Sequence, residues 1–81
     1  MNEYNDNFMA MYLDPHGMPR CHAIGEELQS VIDYAYEMLK AYLDYGSYTA
    51  RMYPNVAYFQ LKVYDLRTPG IEVDITDTIR S

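Results

Sequence analysis

The 81-residue chain is acidic, with 12 Asp and Glu residues against 6 Lys and Arg and a net charge of −6. A hydrophobic fraction of 49% excludes a disordered acidic tail and fits one globular domain, residues 1–81, near the lower size limit for a stable core. The negative charge argues against direct binding to nucleic acid or to an anionic membrane, because both require a basic surface.

Cysteine content and hydropathy indicate the compartment. Cys21 is the only cysteine and has no partner for an intrachain disulfide, which favours a reducing environment. No apolar run approaches the ~20 residues of a membrane span, and no basic-then-apolar signal peptide opens the sequence. We therefore expect a soluble protein of the cytoplasm.

The first elements in chain order are two strands, over residues 8–13 and 18–24, joined by a turn over residues 14–17. Its sequence, Asp-Pro-His-Gly, is typical of a type I turn whose last residue takes positive φ. A three-residue loop would pair Asp14 with Met18. Counting outward then pairs Leu13 with Pro19, Met11 with Cys21 and Met9 with Ala23. One face of this hairpin is then wholly apolar, and Tyr12 lies on the other, mixed face.

The longest periodic segment spans residues 26–45 and predicts an amphipathic helix. Its apolar stripe contains Leu28, Val31, Ile32, Ala35, Met38, Leu39 and Tyr42. We expect Gly25 to open this helix, with Glu26 and Glu27 in the first turn, where the helix dipole favours carboxylates. Gly46 is expected to end it.

The rest of the chain predicts one more helical turn and two strands. Residues 47–53 can form a short helix before Pro54 blocks its continuation. Alternation predicts a third strand over residues 56–66, and the turn 68–70 leads to a last strand over residues 71–79. The inward side of the third strand carries Phe59, Leu61 and Val63.

This order predicts an α+β fold of two layers, ββαββ, with a four-stranded antiparallel or mixed sheet and the one long helix packed on one face. If the first and last strands pair centrally, the strand order is 2-1-4-3. The core beneath the helix is expected to contain Met9, Met11, Leu13, Cys21, Phe59, Leu61, Val63, Val73 and Ile75.

The other face of the sheet stays uncovered in this prediction. It would carry Tyr12, Tyr58 and Tyr64 among Glu72, Asp74 and Lys62. The chain has ten tyrosines, more than a small core buries, because each buried hydroxyl needs a hydrogen-bond partner. Exposed tyrosines anchor interfaces, although tyrosine also favours half-exposed sheet faces. The open face is therefore a candidate partner surface. One hypothesis is a homo-oligomeric regulatory module, such as a homodimer, paired through this open face or through a sheet edge.

No catalytic, metal-binding or cofactor-binding motif stands out, and we expect neither an enzyme nor a bound cofactor or metal. Cys21 and His22 are neighbours on a strand and point to opposite faces, so they cannot form a nucleophile–base pair. Asp14, His16 and His22 fit no zinc spacing and are one ligand short. These three residues are nevertheless the basis of another hypothesis, a small enzyme or metal protein.

A second candidate surface lies on the outer side of the predicted helix. Four carboxylates form an acidic ridge there, flanked by Tyr34 and Tyr36. The ridge consists of Glu26, Asp33, Glu37 and Asp44. At ~1.5 Å per residue it would span ~27 Å, a length over which carboxylates can imitate the phosphate row of a DNA strand. Lys40 interrupts the row, and an ordinary solvated helix face has the same pattern.

Residues 31–45 resemble the N-terminal helix of the anti-restriction DNA-mimic proteins of phage T7 type. The shared residues are Val31, Asp33, Ala35, Tyr36, Glu37, Met38, Leu39, Lys40 and Tyr45. In size, acidity and tyrosine content the chain is also similar to small phage anti-CRISPR proteins. These resemblances imply an anti-defence inhibitor of phage or mobile-element origin, acting in the host cytoplasm. Its partner would be the basic surface of a host nucleic-acid-binding protein or complex.

Overall fold

The computed structural model describes residues 6–80 and confirms the α+β class: four antiparallel strands form one open sheet, with a long helix packed on one face. The elements are β1 (Phe8–Leu13), β2 (Pro19–Gly25), α1 (Leu28–Tyr45), α2 (Tyr48–Met52), a 3-10 turn (Val56–Tyr58), β3 (Gln60–Asp65), β4 (Val73–Asp74) and α3 (Thr76–Arg80).

The strand order is β2-β1-β3-β4, so the predicted order 2-1-4-3 is wrong. β1 pairs with β3, and β4 is a two-residue strand at the edge in place of the predicted strand over 71–79. The chain leaves the sheet after Asp74, because its carboxylate accepts a hydrogen bond from the Thr76 N–H at 2.9 Å. This Asx turn directs residues 76–80 into α3.

The β1–β2 hairpin contains a β-bulge that the alternation pattern does not predict. The turn forms as expected, with Gly17 at φ +86° and the Asp14 N–H donating to the Met18 carbonyl at 2.9 Å. Leu13 pairs with Pro19 as predicted, but the register shifts by one residue between Leu13 and Tyr12, which pairs with Cys21. Arg20 is the extra residue in β2.

The bulge is held by Asp14, whose carboxylate accepts a bond from the Arg20 Nε at 3.0 Å. As a result, Met9 and Met11 pair with Ile24 and His22, and the predicted pairs with Ala23 and Cys21 are wrong.

The shifted register exchanges the two faces of β1. Its even-numbered residues lie against the helix, and Met9, Met11 and Leu13 occupy the open face of the sheet as half-buried side chains. The buried cluster contains Phe8, Ala10, Tyr12, Cys21, Ala23, Val31, Ala35, Leu39, Phe59 and Val63. The predicted core is therefore correct for Cys21, Phe59 and Val63 and wrong for the three β1 residues. Val73 is 43% exposed, whereas Leu61 and Ile75 pack partly buried against the cluster.

α1 lies close to the sheet because the residues between the two layers are small. Ala10 and Ala35 are 0% exposed and Ala23 is 4% exposed, so the backbones approach without a large side chain between them. Leu39, also 0% exposed, fills the space beside them. The predicted stripe is confirmed, since Val31, Ala35 and Leu39 are its buried residues.

The bounds of α1 differ from the prediction at its start. Gly25 is the last residue of β2, paired with Phe8, and does not open the helix. Glu27 is the N-cap and Glu26 lies outside the helix, so neither carboxylate is in the first turn. At the other end Gly46 takes φ +80° and ends α1 as predicted.

The segment after α1 is shaped by side-chain caps. The Ser47 Oγ accepts from the Ala50 N–H at 3.2 Å and starts α2, which confirms a short helix before Pro54. The Asn55 Oδ1 accepts from the Ala57 N–H at 2.9 Å and starts the 3-10 turn. For this reason β3 begins at Gln60 and not at residue 56.

Candidate protein interaction surface

The outer face of α1 presents a row of exposed carboxylates. We define the carboxylate row as Asp33, Glu37 and Asp44, all of which are exposed. At ~100° per residue they lie within ~40° of one another, directly opposite the buried stripe of the helix. The packing of α1 on the sheet therefore turns all three side chains toward solvent.

Glu26, the fourth residue of the predicted acidic ridge, does not extend this row along the helix. It lies in the connection between β2 and α1, where its backbone carbonyl accepts a bond from the Asn7 Nδ2 at 3.2 Å. The helical part of the ridge, from Asp33 to Asp44, spans ~16 Å and not ~27 Å, at a rise of ~1.5 Å per residue.

Two neighbouring side chains contact the carboxylate row. The Gln29 Nε2 donates to Asp33 at 2.9 Å, and the Lys40 Nζ lies 3.2 Å from a carboxylate oxygen of Glu37. Lys40 also lies 5.0 Å from the centre of the Tyr36 ring. An exposed i,i+3 ion pair contributes only about 0.2–0.5 kcal/mol, so a cation from a partner can readily replace Lys40.

Tyr34 and Tyr36 flank the row as predicted. They are 63% and 39% exposed, and each lies ~80° around the helix from the centre of the row, on opposite sides. The two rings therefore form apolar borders on either side of the charges. Such a mixture of rings and carboxylates suits arginine, which binds both groups.

Most of the basic side chains that the structure describes are paired with a carboxylate of the same chain. Four ion pairs join Arg20 to Asp14, Lys40 to Glu37, Lys62 to Asp74 and Arg67 to Asp65, at 3.0, 3.2, 3.3 and 2.8 Å. Between residues 6 and 80, several carboxylates have no such partner. They are Asp6, Glu27, Asp33, Asp44, Glu72 and Asp77. The negative charge is therefore displayed at the surface instead of being neutralised inside the fold.

The predicted tyrosine-rich open sheet face is only partly formed. Tyr12 is 7% exposed and belongs to the core, because the bulge inverts β1, and burial raises the pKa of its hydroxyl. Tyr58 lies in the 3-10 turn, 54% exposed, with its ring 5.6 Å from that of Tyr53. Tyr64 does lie on the open face, where its strand neighbours are Met9 and Asp74. The open face therefore has an aliphatic centre on β1 and one of the three predicted tyrosines.

The two acidic residues assigned to that face are also separated. Asp74 lies on β4 and is bound to Lys62 and Thr76, so its charge is already satisfied. Glu72 is exposed in the connection before β4 and lines a shallow depression with Leu66, Thr68, Gly70 and Ile71.

A third exposed group was not singled out by the sequence pattern. Tyr45 and Tyr48 are 88% and 71% exposed and Met52 is 50% exposed, at the end of α1 and along α2. Tyr48 and Met52 are four residues apart and share one side of α2. The tyrosine content of the chain indicated that rings must reach the surface, but the short helix that carries two of these side chains has too few residues to show a period.

The three residues of the metal-site hypothesis, Asp14, His16 and His22, lie apart or bind other groups of the chain. The His16 Nε2 lies 2.9 Å from the Tyr53 hydroxyl, and their rings are 5.8 Å apart in an edge-to-face arrangement. Asp14 binds the turn that precedes β2, and His22 lies on the open sheet face. Among residues 6–80, no three His, Cys, Asp or Glu side chains are grouped in a way that could hold a metal ion.

Asp14 is a buried carboxylate whose charge the hairpin stabilises. Burial raises its pKa, but hydrogen bonds from the Met18 N–H, the Arg20 guanidinium and the His16 N–H outweigh this effect and leave the pKa below its usual value. The distances to the two backbone nitrogens are 3.0 and 2.9 Å.

Two further carboxylates have lowered pKa values. Hydrogen bonds from the side chain and the backbone N–H of Arg67 lower the pKa of Asp65 to about 2. The hydroxyl and the backbone N–H of Thr76 lower the pKa of Asp74.

These lowered pKa values predict acid sensitivity. Asp14, Asp65 and Asp74 bind protons less readily in the folded chain than in the unfolded chain. The stability they add is therefore fully present above the ordinary carboxyl pKa of about 3.9 and is lost as the pH falls through the folded pKa values. Urea unfolding at a series of pH values should show a fall below about pH 4. In the Asp65→Asn control the fall should be shallower, and stability that rises below pH 4 would contradict the assignment.

Comparison with family models, with curated proteins and with solved structures found no match to this chain. Within residues 6–80, none of the helices combines the length and the apolar composition needed to cross a bilayer. The fold and the surface together define a two-layer α+β domain that displays carboxylates and tyrosines on the exposed side of its long helix.

Proposed function

We propose that this chain is a small anti-defence protein of a phage or mobile element. It inhibits a host nucleic-acid-binding complex, of the CRISPR or restriction type, by occupying its basic groove as a DNA mimic in the host cytoplasm. The observation that carries the proposal is the exposed carboxylate row, Asp33, Glu37 and Asp44, directed away from the core on a rigid helix. The resemblance of residues 31–45 to anti-restriction DNA-mimic proteins supports the same function.

The geometry of the row supports contact with a cationic groove. Asp33 and Glu37 are one helical turn apart, ~6 Å, and Asp44 follows ~10 Å further along the helix. Axial phosphate spacing in one DNA strand is ~3.4 Å, so the row matches every second or third phosphate and not each one. The exposed Tyr34 and Tyr36 would add contact area beside the charges.

The C-terminal end of the row adjoins a place for a partner side chain. Asp44 and Lys40 border a groove of about 310 Å³, whose other walls are Leu43, Pro54, Asn55 and Val56. An arginine that enters here can bind the Asp44 carboxylate with its guanidinium while its aliphatic stem packs on Leu43 and Val56.

The proposal predicts that charge reversal in the row removes inhibition. The Asp33→Lys, Glu37→Lys double variant should raise the concentration needed to displace labelled duplex DNA from the target by about tenfold or more, because two attractive contacts become repulsive. Displacement is measured by fluorescence anisotropy on purified CRISPR effectors and restriction complexes. Inhibition by the parent should also weaken as salt increases.

A matched control separates the row from net charge. The Glu72→Lys, Asp77→Lys double variant makes the same change of charge at exposed carboxylates outside α1 and should inhibit nearly as well as the parent. Equal inhibition by the parent and the Asp33→Lys, Glu37→Lys variant would show that the row is not the binding surface. If the parent displaces DNA from none of these complexes, the proposed function is wrong.

A further inference from the structure

β2 is one of the two edge strands of the sheet. The hydrogen bonds of β3 show which backbone groups of β2 face away from the sheet. The Val63 N–H donates to the Thr76 hydroxyl at 2.9 Å, and its carbonyl accepts from the Ile75 N–H at 2.9 Å. Val63 therefore directs its backbone groups away from β1. Because these groups alternate along a strand, Lys62 and Tyr64 are the β3 residues that bond to β1.

The same alternation continues across β1. The β1 partners of Lys62 and Tyr64 are odd-numbered, so the even-numbered residues of β1 bond to β2, where their partners are Ala23 and Cys21. His22 and Ile24 then direct both their N–H and C=O groups toward the open side of β2. Within residues 6–80 no hydrogen bond from another part of the chain reaches these groups.

The two edges of the sheet differ in how they are protected. β4 has two residues, and only Ile75 separates it from α3, which contacts β3 through Thr76. β2 has seven residues, and Pro19 and the bulge at Arg20 protect only its first end. Natural sheets cover or interrupt long edge strands, because exposed backbone groups recruit another strand.

Exposed apolar side chains accompany the unprotected part of β2. Ile24 is 40% exposed and Tyr34 is 63% exposed. They border a groove of about 270 Å³ between β2 and the first turns of α1, which Gly25, Glu26, Ser30 and Val31 complete. A strand that pairs with β2 would cover this groove.

The local charge of β2 and the symmetry of antiparallel pairing allow a second copy of the same chain to be the occupant of this edge. A net charge of −6 makes two copies repel each other over most of their surfaces. β2 carries no acidic residue and one basic residue, Arg20, so it is a place where two copies can meet without opposed carboxylates. Antiparallel pairing is also self-complementary, because each strand offers the other the same set of donors and acceptors.

We propose that two copies of this chain associate through β2 and form a continuous eight-stranded antiparallel sheet. The two-fold axis passes beside Ala23, so that His22 of each copy pairs with Ile24 of the other through the outward backbone groups. This register also places Arg20 of one copy, which keeps its ion pair with Asp14, near Glu26 of the second copy. An axis perpendicular to the sheet keeps both α1 helices on one face, with the Tyr34 rings toward the interface.

The test is the molar mass in solution, measured by sedimentation equilibrium from micromolar to millimolar concentration. The parent mass should rise from 9.5 kDa toward twice that value. Ile24→Lys should raise the dissociation constant by about tenfold or more, because it places a charge of each copy in the middle of the paired segment. Ile24→Pro removes an outward N–H that the fold itself does not use and should have the same effect.

The control is Val73→Lys, which makes the same change of charge at a similarly exposed residue, 43%, on the opposite edge of the sheet. It should associate as well as the parent. Circular dichroism shows whether each variant is folded. A parent that stays monomeric at every concentration, or equal weakening by Val73→Lys and Ile24→Lys, would overturn the proposal.

Salt distinguishes this association from the proposed inhibitory function. Dimerisation of a chain of charge −6 should strengthen as salt increases, because screening reduces the repulsion between copies. Binding to a basic groove should weaken under the same change. If the parent dimerises but displaces no DNA, the β2 interface is supported and the anti-defence function is wrong. If it displaces DNA but stays monomeric, the anti-defence function is supported and the β2 interface is wrong.

Discussion

Leu39→Ala should lower the free energy of unfolding by about 2–5 kcal/mol, the largest loss expected from a single substitution in this chain. Leu39 is 0% exposed and is one of the two largest side chains that are fully buried. Removing it eliminates buried apolar surface and leaves a cavity between α1 and the sheet, because the small alanines around it cannot fill the space. A domain of this size has a total stability of about 4–12 kcal/mol, so the variant would lose a large part of it.

Leu43→Ala provides the control for this prediction. It makes the same substitution in the same helix, so the change of helix propensity is equal, but Leu43 is only partly buried at the edge of the core. Its expected cost is smaller, about 1 kcal/mol. Urea unfolding followed by circular dichroism measures both variants. If Leu39→Ala costs no more than Leu43→Ala, Leu39 is not at the centre of the core.

Thr76→Val should lower the free energy of unfolding by about 1–3 kcal/mol, although valine has nearly the same shape as threonine. The Thr76 hydroxyl, in a residue 4% exposed, accepts from the Val63 N–H at 2.9 Å and donates to the Asp74 carboxylate at 2.6 Å. Valine leaves the Val63 N–H buried without a partner and removes a donor from Asp74. The connection between β3 and the C-terminal residues would be weakened.

Thr76→Ser keeps the hydroxyl and removes only the methyl group, so it separates hydrogen bonding from packing. We expect the serine variant to retain most of the stability that the valine variant loses, measured by urea unfolding at neutral pH. If serine is as destabilising as valine, the methyl group and not the hydroxyl holds α3 against β3.

The acidic ridge and its tyrosines were largely predictable from the sequence, because they depend on helical period alone. Asp33, Glu37 and Asp44 fall opposite the apolar stripe at any packing that buries Leu39. Glu26 could not be assigned, because the end of β2 and the start of α1 compete for residues 25–27. Pairing of Gly25 with Phe8 gives these residues to the sheet and its connection.

The open sheet face was less predictable, because a strand's inward and outward sides are exchanged by one inserted residue. Both faces of β1 are apolar in the sequence, so alternation alone does not show which face is buried. One face carries Phe8, Ala10 and Tyr12, and the other carries Met9, Met11 and Leu13. The bulge at Arg20 selects the first set for the core. As a result Tyr12 is in the core and not on the candidate partner surface. The cap at Asn55 places Tyr58 in the 3-10 turn.

The sequence by itself determined the α+β class, the turn at residues 14–17, the apolar stripe of α1 and the end of α1 at Gly46. These features depend on local periodicity, φ preference and turn chemistry, which neighbouring residues decide. The tertiary structure alone decided the bulge, the order β2-β1-β3-β4 and the length of β4. They depend on which distant strands satisfy one another's backbone groups, and on side chains such as Asp14 and Thr76 that bond across a turn or between elements.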